Sequence, residues 1–238
     1  PAFSSDQRAI GEMAAAHFLQ RGFVNFAYVG TMHEINWSRD RGAAFAAALA
    51  KAGRACAVFG PQAREELCAW LKALPKPVAV FAAMDVRARQ VLDACLEAKL
   101  PVPDEVAVLG VDNDTLICES TFPPLSSVVL DTERMGYEAA GALDEWMRGR
   151  SGGPRRVLFP PCSVAERAST ETLLLADGKV RDAVSFIRLN ASDAALDIPA
   201  VAGALTQELV DLATILYALR ALGGPPSGLP AAAPPPSR

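Results

Sequence analysis

An open, doubly wound α/β sheet is the fold class this sequence predicts, and three observations predict it. Phe23–Gly30, Pro77–Ala82 and Glu105–Gly110 are short runs apolar on both faces, the pattern of strands covered on both sides in a parallel sheet. Stretches with apolar residues at helical spacing separate them. Glycine or proline stands where those stretches should stop, at Gly22, Gly53, Pro75 and Pro101.

The elements follow in order. Asp6 has the side chain to cap a helix whose apolar face is Ile10, Met13, Ala14 and Phe18. Gly22 suits the left-handed residue that ends it. The strand FVNFAYVG comes next, then a helix over Trp37–Gly53 with Phe45 and Leu49 on one face. Cys56–Phe59 reads as a short strand, Glu65–Ala73 as a helix stopped by Pro75, and PVAVFA as a buried strand. Val86–Lys99 is helical with Val91, Leu92, Cys95 and Leu96 inward, and EVAVLG is the next strand. Further on, Leu125–Leu130 reads as a strand and Thr132–Arg148 as an amphipathic helix.

At 238 residues the chain has room for one sizeable α/β domain and an appendage, and 51% apolar content is ample for a core. A net charge of −4 argues against a general affinity for nucleic acid or anionic membranes. No apolar run approaches the about 20 residues of a membrane helix, and PAFSSDQ lacks the form of a secretion signal. Cys56, Cys68, Cys95, Cys118 and Cys162 are odd in number, with no C-x-x-C pair, and His17 and His33 lie far from most of them. Reduced thiols are expected, with no metal site, no cofactor and a cytoplasmic location.

Sheets of this class bind ligands beyond the carboxyl ends of their strands. TMHEINWSRDR follows Gly30 and carries Trp37 and Arg41, Asp85 follows Phe81–Met84, and Asp112, Asn113 and Asp114 follow Leu109–Val111. A guanidinium that donates and carboxylates that accept match the vicinal hydroxyls of a polyol or sugar. From spacing alone two readings stay open: ligand contacts, or helix caps and a solvated helix charge. Trp37 is open in the same way between stacking on a pyranose face and packing. His33 reads as a loop residue.

Four passages carry a resemblance: AIGEMAAAHFLQRGFVNFAYVG, WSRDRGAAFAAAL, LPKPVAVFAAMDVRARQVLDACLEAKLPVPDEVAVLGVDND and PPLSSVVLDTERMGYEAA. In this order they are similar to the effector-binding region of the lac-repressor family, most of all to its xylose-operon branch. The resemblance implies a periplasmic-binding-protein-like sheet flanked by helices, mainly one lobe, over residues 1–170. Residues 171–222 would be a short helical segment like the start of an arabinose-regulator-type helix-turn-helix domain, and 223–238 a disordered tail. It implies Arg41 as the ligand-gripping arginine, Asp85 as a polar strand-end contact, Asp112 as the acid accepting sugar hydroxyls, and Asn113 beside it. The implied partners are a pentose such as xylose, operator DNA and a second copy of the chain.

Two departures from the pattern stand out. Most of a first lobe is missing, so a chain truncated at both ends is expected, with Leu125–Leu130 and Thr132–Arg148 robbed of the lobe they would pack in. That helix is expected to be exposed or unusually docked. Val184, Ile187 and Arg188 fit a scaffold helix, yet no basic recognition helix follows. From Thr170 to Arg238 five Lys/Arg face seven Asp/Glu, a net −2 unsuited to phosphate. An enzyme finds no support, because G-x-G-x-x-G and G-x-x-x-x-G-K-[ST] are both absent. The expected function is a sugar-responsive transcription regulator, the alternative a secreted or cytoplasmic sugar-binding protein that does not bind DNA.

Overall fold

Continuous apolar strands need cover on both faces, and the computed structural model supplies it with helices on each side of one sheet. It describes residues 2–60, 64–150 and 156–171. The chain divides into two units, Pro1–Leu174 and Leu175–Arg238. The helical segment 171–222 (apart from Glu171), with Val184, Ile187 and Arg188, and the tail 223–238 lie outside the described residues.

The first unit opens with β1 (Ala2–Ser5), α1 (Gln7–Gln20), β2 (Asn25–Val29), α2 (Asn36–Lys51) and β3 (Cys56–Phe59). It continues through α3 (Arg64–Ala73), β4 (Val78–Ala82), α4 (Asp85–Ala98), β5 (Val106–Val111) and α5 (Thr115–Ser120). Then come β6 (Ser126–Leu130), α6 (Thr132–Met147), β7 (Arg156–Phe159), β8 (Pro161–Ala165) and a 3-10 turn at Ala168–Thr170. The main sheet has the order β3-β2-β4-β5-β6-β8. Its pairs are parallel except β6 with β8, which is antiparallel.

Local chemistry sets the helix ends. Asp6 caps α1 by accepting from the N–H groups of Arg8 (3.0 Å) and Ala9 (3.1 Å). Lys99 ends α4 in the left-handed region at φ 58°. One face of the sheet packs on α1 and α2 through Ile10, Phe18, Phe45 and Leu49. Within that layer Phe45 and Phe81 have ring centroids 5.0 Å apart. The other face packs on α3 and α4 through Leu67, Leu71, Val91, Leu92 and Cys95.

Three features differ from the sequence expectation. The resemblance places Leu125–Leu130 in a missing lobe, but Ser126–Leu130 is hydrogen-bonded into the main sheet between β5 and β8. The buried start of this strand, Ser126, Ser127 and Val128, needs that cover. Leu96 is 71% exposed on α4 rather than turned inward. β1 and β7 form a separate two-stranded parallel sheet that the pattern did not announce. The helix α6 touches β1 and has no buried residue; Tyr137, Trp146 and Met147 stand exposed along it.

Helices α1 and α2 approach one another closely at Gly11. A Cβ on Gly11 would lie 2.6 Å from the backbone nitrogen of Phe45 and 2.8 Å from the carbonyl oxygen of Arg41. Backbone cannot give way as a side chain can. Gly11→Ala should therefore destabilise the chain by about 2 kcal/mol, the scale of an overpacked core. Urea denaturation checks it, and an unchanged midpoint would mean that the helices do not approach this closely.

Candidate functional site

The strand order turns between β2 and β4. From β2 the chain goes outward to β3, then crosses back over β2 to β4 and continues the other way. Ligand crevices of open α/β sheets form at such a turn, outside the carboxyl ends of the strands. Here the Ala83 N–H donates to Val29 O at 2.9 Å, closing the two strand ends together.

Arg41 lies across this turn. It sits on α2, whose first turn is held to β2 by the Tyr28 hydroxyl, a donor to Ser38 O at 2.7 Å. Gly42 lets the helix approach, since a Cβ there would meet the Tyr28 ring at 2.5 Å. The Arg41 Nε donates to Gln7 Oε1 at 2.9 Å, and Nη1 donates to the Ala83 carbonyl. The half-buried Trp37 ring lies with its centroid 4.9 Å from the guanidinium carbon, and only 3% of Arg41 is exposed. Burial lowers its pKa from the ordinary value, while Tyr28, Asp112 and Asp85 act in the opposite sense.

Asp85 begins α4 and is 1% exposed. Its Oδ1 accepts from Ser127 Oγ at 2.6 Å. Its Oδ2 accepts from the Asp114 N–H at 2.8 Å and from Cys118 Sγ at 3.5 Å. The carboxylate thus points under the rim. Desolvation raises its pKa, and these three donors oppose the rise. Gly110 leaves it room, because a Cβ there would stand 2.2 Å from Oδ1.

Asp112 and Asn113 form the rim itself, both in the left-handed half of backbone space at φ 108° and φ 53°. Such a turn costs about 1–3 kcal/mol per residue and needs outside support. The Asp112 N–H donates to Val128 O at 3.1 Å, the Asn113 N–H to Ser127 Oγ at 2.9 Å, and the Asp114 N–H to Asp85. Asn113 Oδ1 also accepts from Arg167 Nη2 at 3.0 Å. Asp112 reaches solvent, yet the protein around it displaces enough water to push its pKa up to about 6. Asp85 and Asp114 add to the rise, and Arg41 opposes it.

Of the residues named from the sequence, Trp37 and Arg41 lie at the switch of strand order, and Asp112 and Asn113 lie at the end of β5 with Asp85 beneath them; Arg41 and Asp112 each favour the other's charge. His33 stands in the exposed loop after β2, its carbonyl accepting from Thr31 Oγ1 at 2.6 Å. Sequence reasoning passed over Gln7, Ser127 and Arg167, which hold Arg41, Asp85 and Asn113. It also passed over Arg87, buried on α4, which donates to Gly30 O at 2.9 Å and so pins the loop leading to α2.

Residues 15–170 match the model of the periplasmic binding protein-like domain. The xylose operon regulatory protein of Haemophilus influenzae is 34% identical over 199 residues, covering 79% of this chain and 51% of that protein. Its Escherichia coli counterpart is 32% identical over the same shares. The chain thus spans about half the length of the curated relatives it matches, 51% in each case. Among solved structures, a xylose-binding transcription activator aligns with TM-score 0.70 at 28% identity, covering 91% of this chain and 60% of that one. A transcriptional regulator in complex with cellobiose aligns with TM-score 0.60 at 26% identity, covering 71% of this chain and 54% of the other.

An acid whose pKa is higher folded than unfolded binds its proton more readily in the folded state. For Asp112 that costs stability as pH rises from 3.8 to about 6, and the full cost persists above. Asp112→Asn should therefore raise stability at neutral pH, by on the order of 1 kcal/mol once solvent screening of the exposed carboxylate is allowed for. The gain should vanish below pH 3.8. Thermal melts across this range check it; no gain at neutral pH would show that Asp112 is not electrostatically frustrated.

Proposed function

The chain belongs to the periplasmic binding protein-like domain family, and from that membership we propose that it is the sugar-sensing part of a transcription regulator. The observation that carries the proposal is a buried guanidinium laid across the turn of strand order, with a solvent-reaching carboxylate at the end of β5 on the same edge of the sheet. Relatives that are sugar-responsive regulators support it, and the word xylose in their names makes a pentose the ligand class to try first.

In this reading Asp112 accepts sugar hydroxyls and Asn113 contributes beside it. Arg41 donates to a ring or hydroxyl oxygen once Trp37, stacked on it, gives way to the sugar. Asp85 takes a different part from the one its place in the sequence suggested. Its carboxylate is engaged inward, so it positions the rim and does not touch the ligand. The chemistry is binding, not catalysis. Its regulatory effect would come from a shift between two conformations, no larger than the ligand's differential affinity for them. A cytoplasmic location, a homodimer and operator DNA as the partner of the whole regulator belong to the same proposal. The net −2 of residues 170–238 favours, as a second reading, sugar binding without DNA binding by this chain. A mobility-shift assay on a candidate operator separates the two.

Titration calorimetry with D-xylose tests the site. Asp112→Asn should weaken binding about ten- to a hundredfold, the worth of hydrogen bonds to a charged acceptor. The unaltered chain should lose affinity as pH falls through about 6, where the carboxylate takes up its proton. D-Xylose bound equally well by both proteins would remove Asp112 from the site, and a panel of pentoses that all fail to bind would refute the sugar reading.

A further inference from the structure

Residues 166–171 are the last described stretch of the first unit, and their hydrogen bonds fasten them on several sides. The Arg167 N–H donates to Ser126 Oγ at 2.8 Å, and that hydroxyl donates to Arg167 O at 2.8 Å. Ser169 Oγ accepts from Ser126 N at 2.8 Å and donates to Val108 O at 2.6 Å. Thr170 Oγ1 donates to Ser126 Oγ at 2.7 Å and meets His17 Nε2 at 3.1 Å. Ser126, Ser169 and Thr170 are fully buried, so these bonds are obligatory.

The α1 side is closed by His17 and Arg21. Arg21 donates to Thr170 O at 3.1 Å and pairs with Glu166 at 2.6 Å. Its Nη1 faces His17 Nδ1 at 3.1 Å. A guanidinium only donates, so Nδ1 accepts and Nε2 carries the proton given to Thr170. That requires a neutral imidazole. Burial and Arg21, with Glu166 opposing, lower the His17 pKa to about 4 and supply it.

The Arg167 guanidinium reaches the other way. Its Nη1 donates to Leu125 O at 2.9 Å, and its Nη2 donates to Asn113 Oδ1 at 3.0 Å in the rim turn beside Asp112. One side chain therefore touches the candidate ligand rim, while its own backbone belongs to the segment that precedes the second unit. We propose that the Asn113–Arg167 bond is a strut joining the ligand rim to residues 166–171, so that what happens at Asp112 and Asn113 changes how firmly that segment is held. Arg167 is in this sense a positioning residue. The strut itself stands apart from the sugar reading; only its response to ligand rests on that reading.

Hydrogen–deuterium exchange on the full chain tests it with two variants. Asn113→Gly removes the acceptor and suits φ 53°, and Asn113→Asp keeps an acceptor for Arg167. Asn113→Gly should speed exchange of the Arg167 and Ser169 amides about tenfold, the scale of one charge-assisted bond. Amides of β4 should stay unchanged, which separates the strut from global destabilisation, and Asn113→Asp should restore protection. Unchanged exchange at Arg167 and Ser169 in Asn113→Gly overturns the strut. At concentrations that calorimetry shows to saturate each protein, D-xylose should slow these amides in the unaltered chain and leave them alone in Asn113→Gly. Sugar that binds and affects both proteins alike overturns the coupling. Failure of D-xylose to bind at all counts against the sugar reading, while the sugar-free comparison still decides the strut.

Discussion

The rim depends on one buried carboxylate. Asp85 sits at the start of α4 and receives a hydroxyl from β6, an N–H from the turn after β5 and a thiol from α5. Three elements that arrive from different parts of the chain are thus held to one point. A carboxylate this deep is costly unless its oxygens are satisfied, and removing one donor would leave a buried acceptor short of a partner. The same requirement explains Gly110, since any side chain there would occupy the space of the Asp85 oxygen. It also explains how the turn at Asp112 and Asn113 survives two residues in left-handed conformations. Ser127 bonds both Asp85 and the Asn113 N–H, so the carboxylate and the strained turn share one hydroxyl.

Much of this architecture could be read from the residues, because its signals are local. Asp6 and Gly22 bracket α1 as cap and stop, and the strands of the parallel sheet are apolar on both faces because both faces are covered. What could not be read depends on partners distant in sequence. β8 has mostly exposed or half-exposed positions and pairs antiparallel at the sheet edge, so no apolar run announces it. β1 and β7 are four residues each and find one another only in the folded chain.

The site shows the same division. That an acid follows β4 and another follows β5 is plain from the sequence; which way each points is not. Asp85 turns inward because Ser127, 42 residues later, meets it there. Asp112 stays at the surface, on a backbone in the left-handed half of conformational space at φ 108°. A family resemblance assigns both to the rim, because it matches positions and carries no side-chain directions. Arg167 escapes sequence reasoning for a related reason: its guanidinium joins Asn113 and Leu125, which only the pairing of β5 with β6 brings near each other.

Asp112 is held where a charge is uncomfortable. Displaced water and the neighbouring Asp85 and Asp114 raise its pKa, and Arg41 compensates only in part. Arg41 is itself desolvated, and its neighbouring acids favour its charge. Each of the two groups would therefore gain from a neutral, hydroxyl-rich molecule placed between them, which accepts from the guanidinium and donates to the carboxylate. A stiff frame is what keeps the Asp112 carboxylate in that position. Were Asp112 free to relax into solvent, its pKa would return toward the ordinary carboxylate value, and the site would have less to offer a ligand.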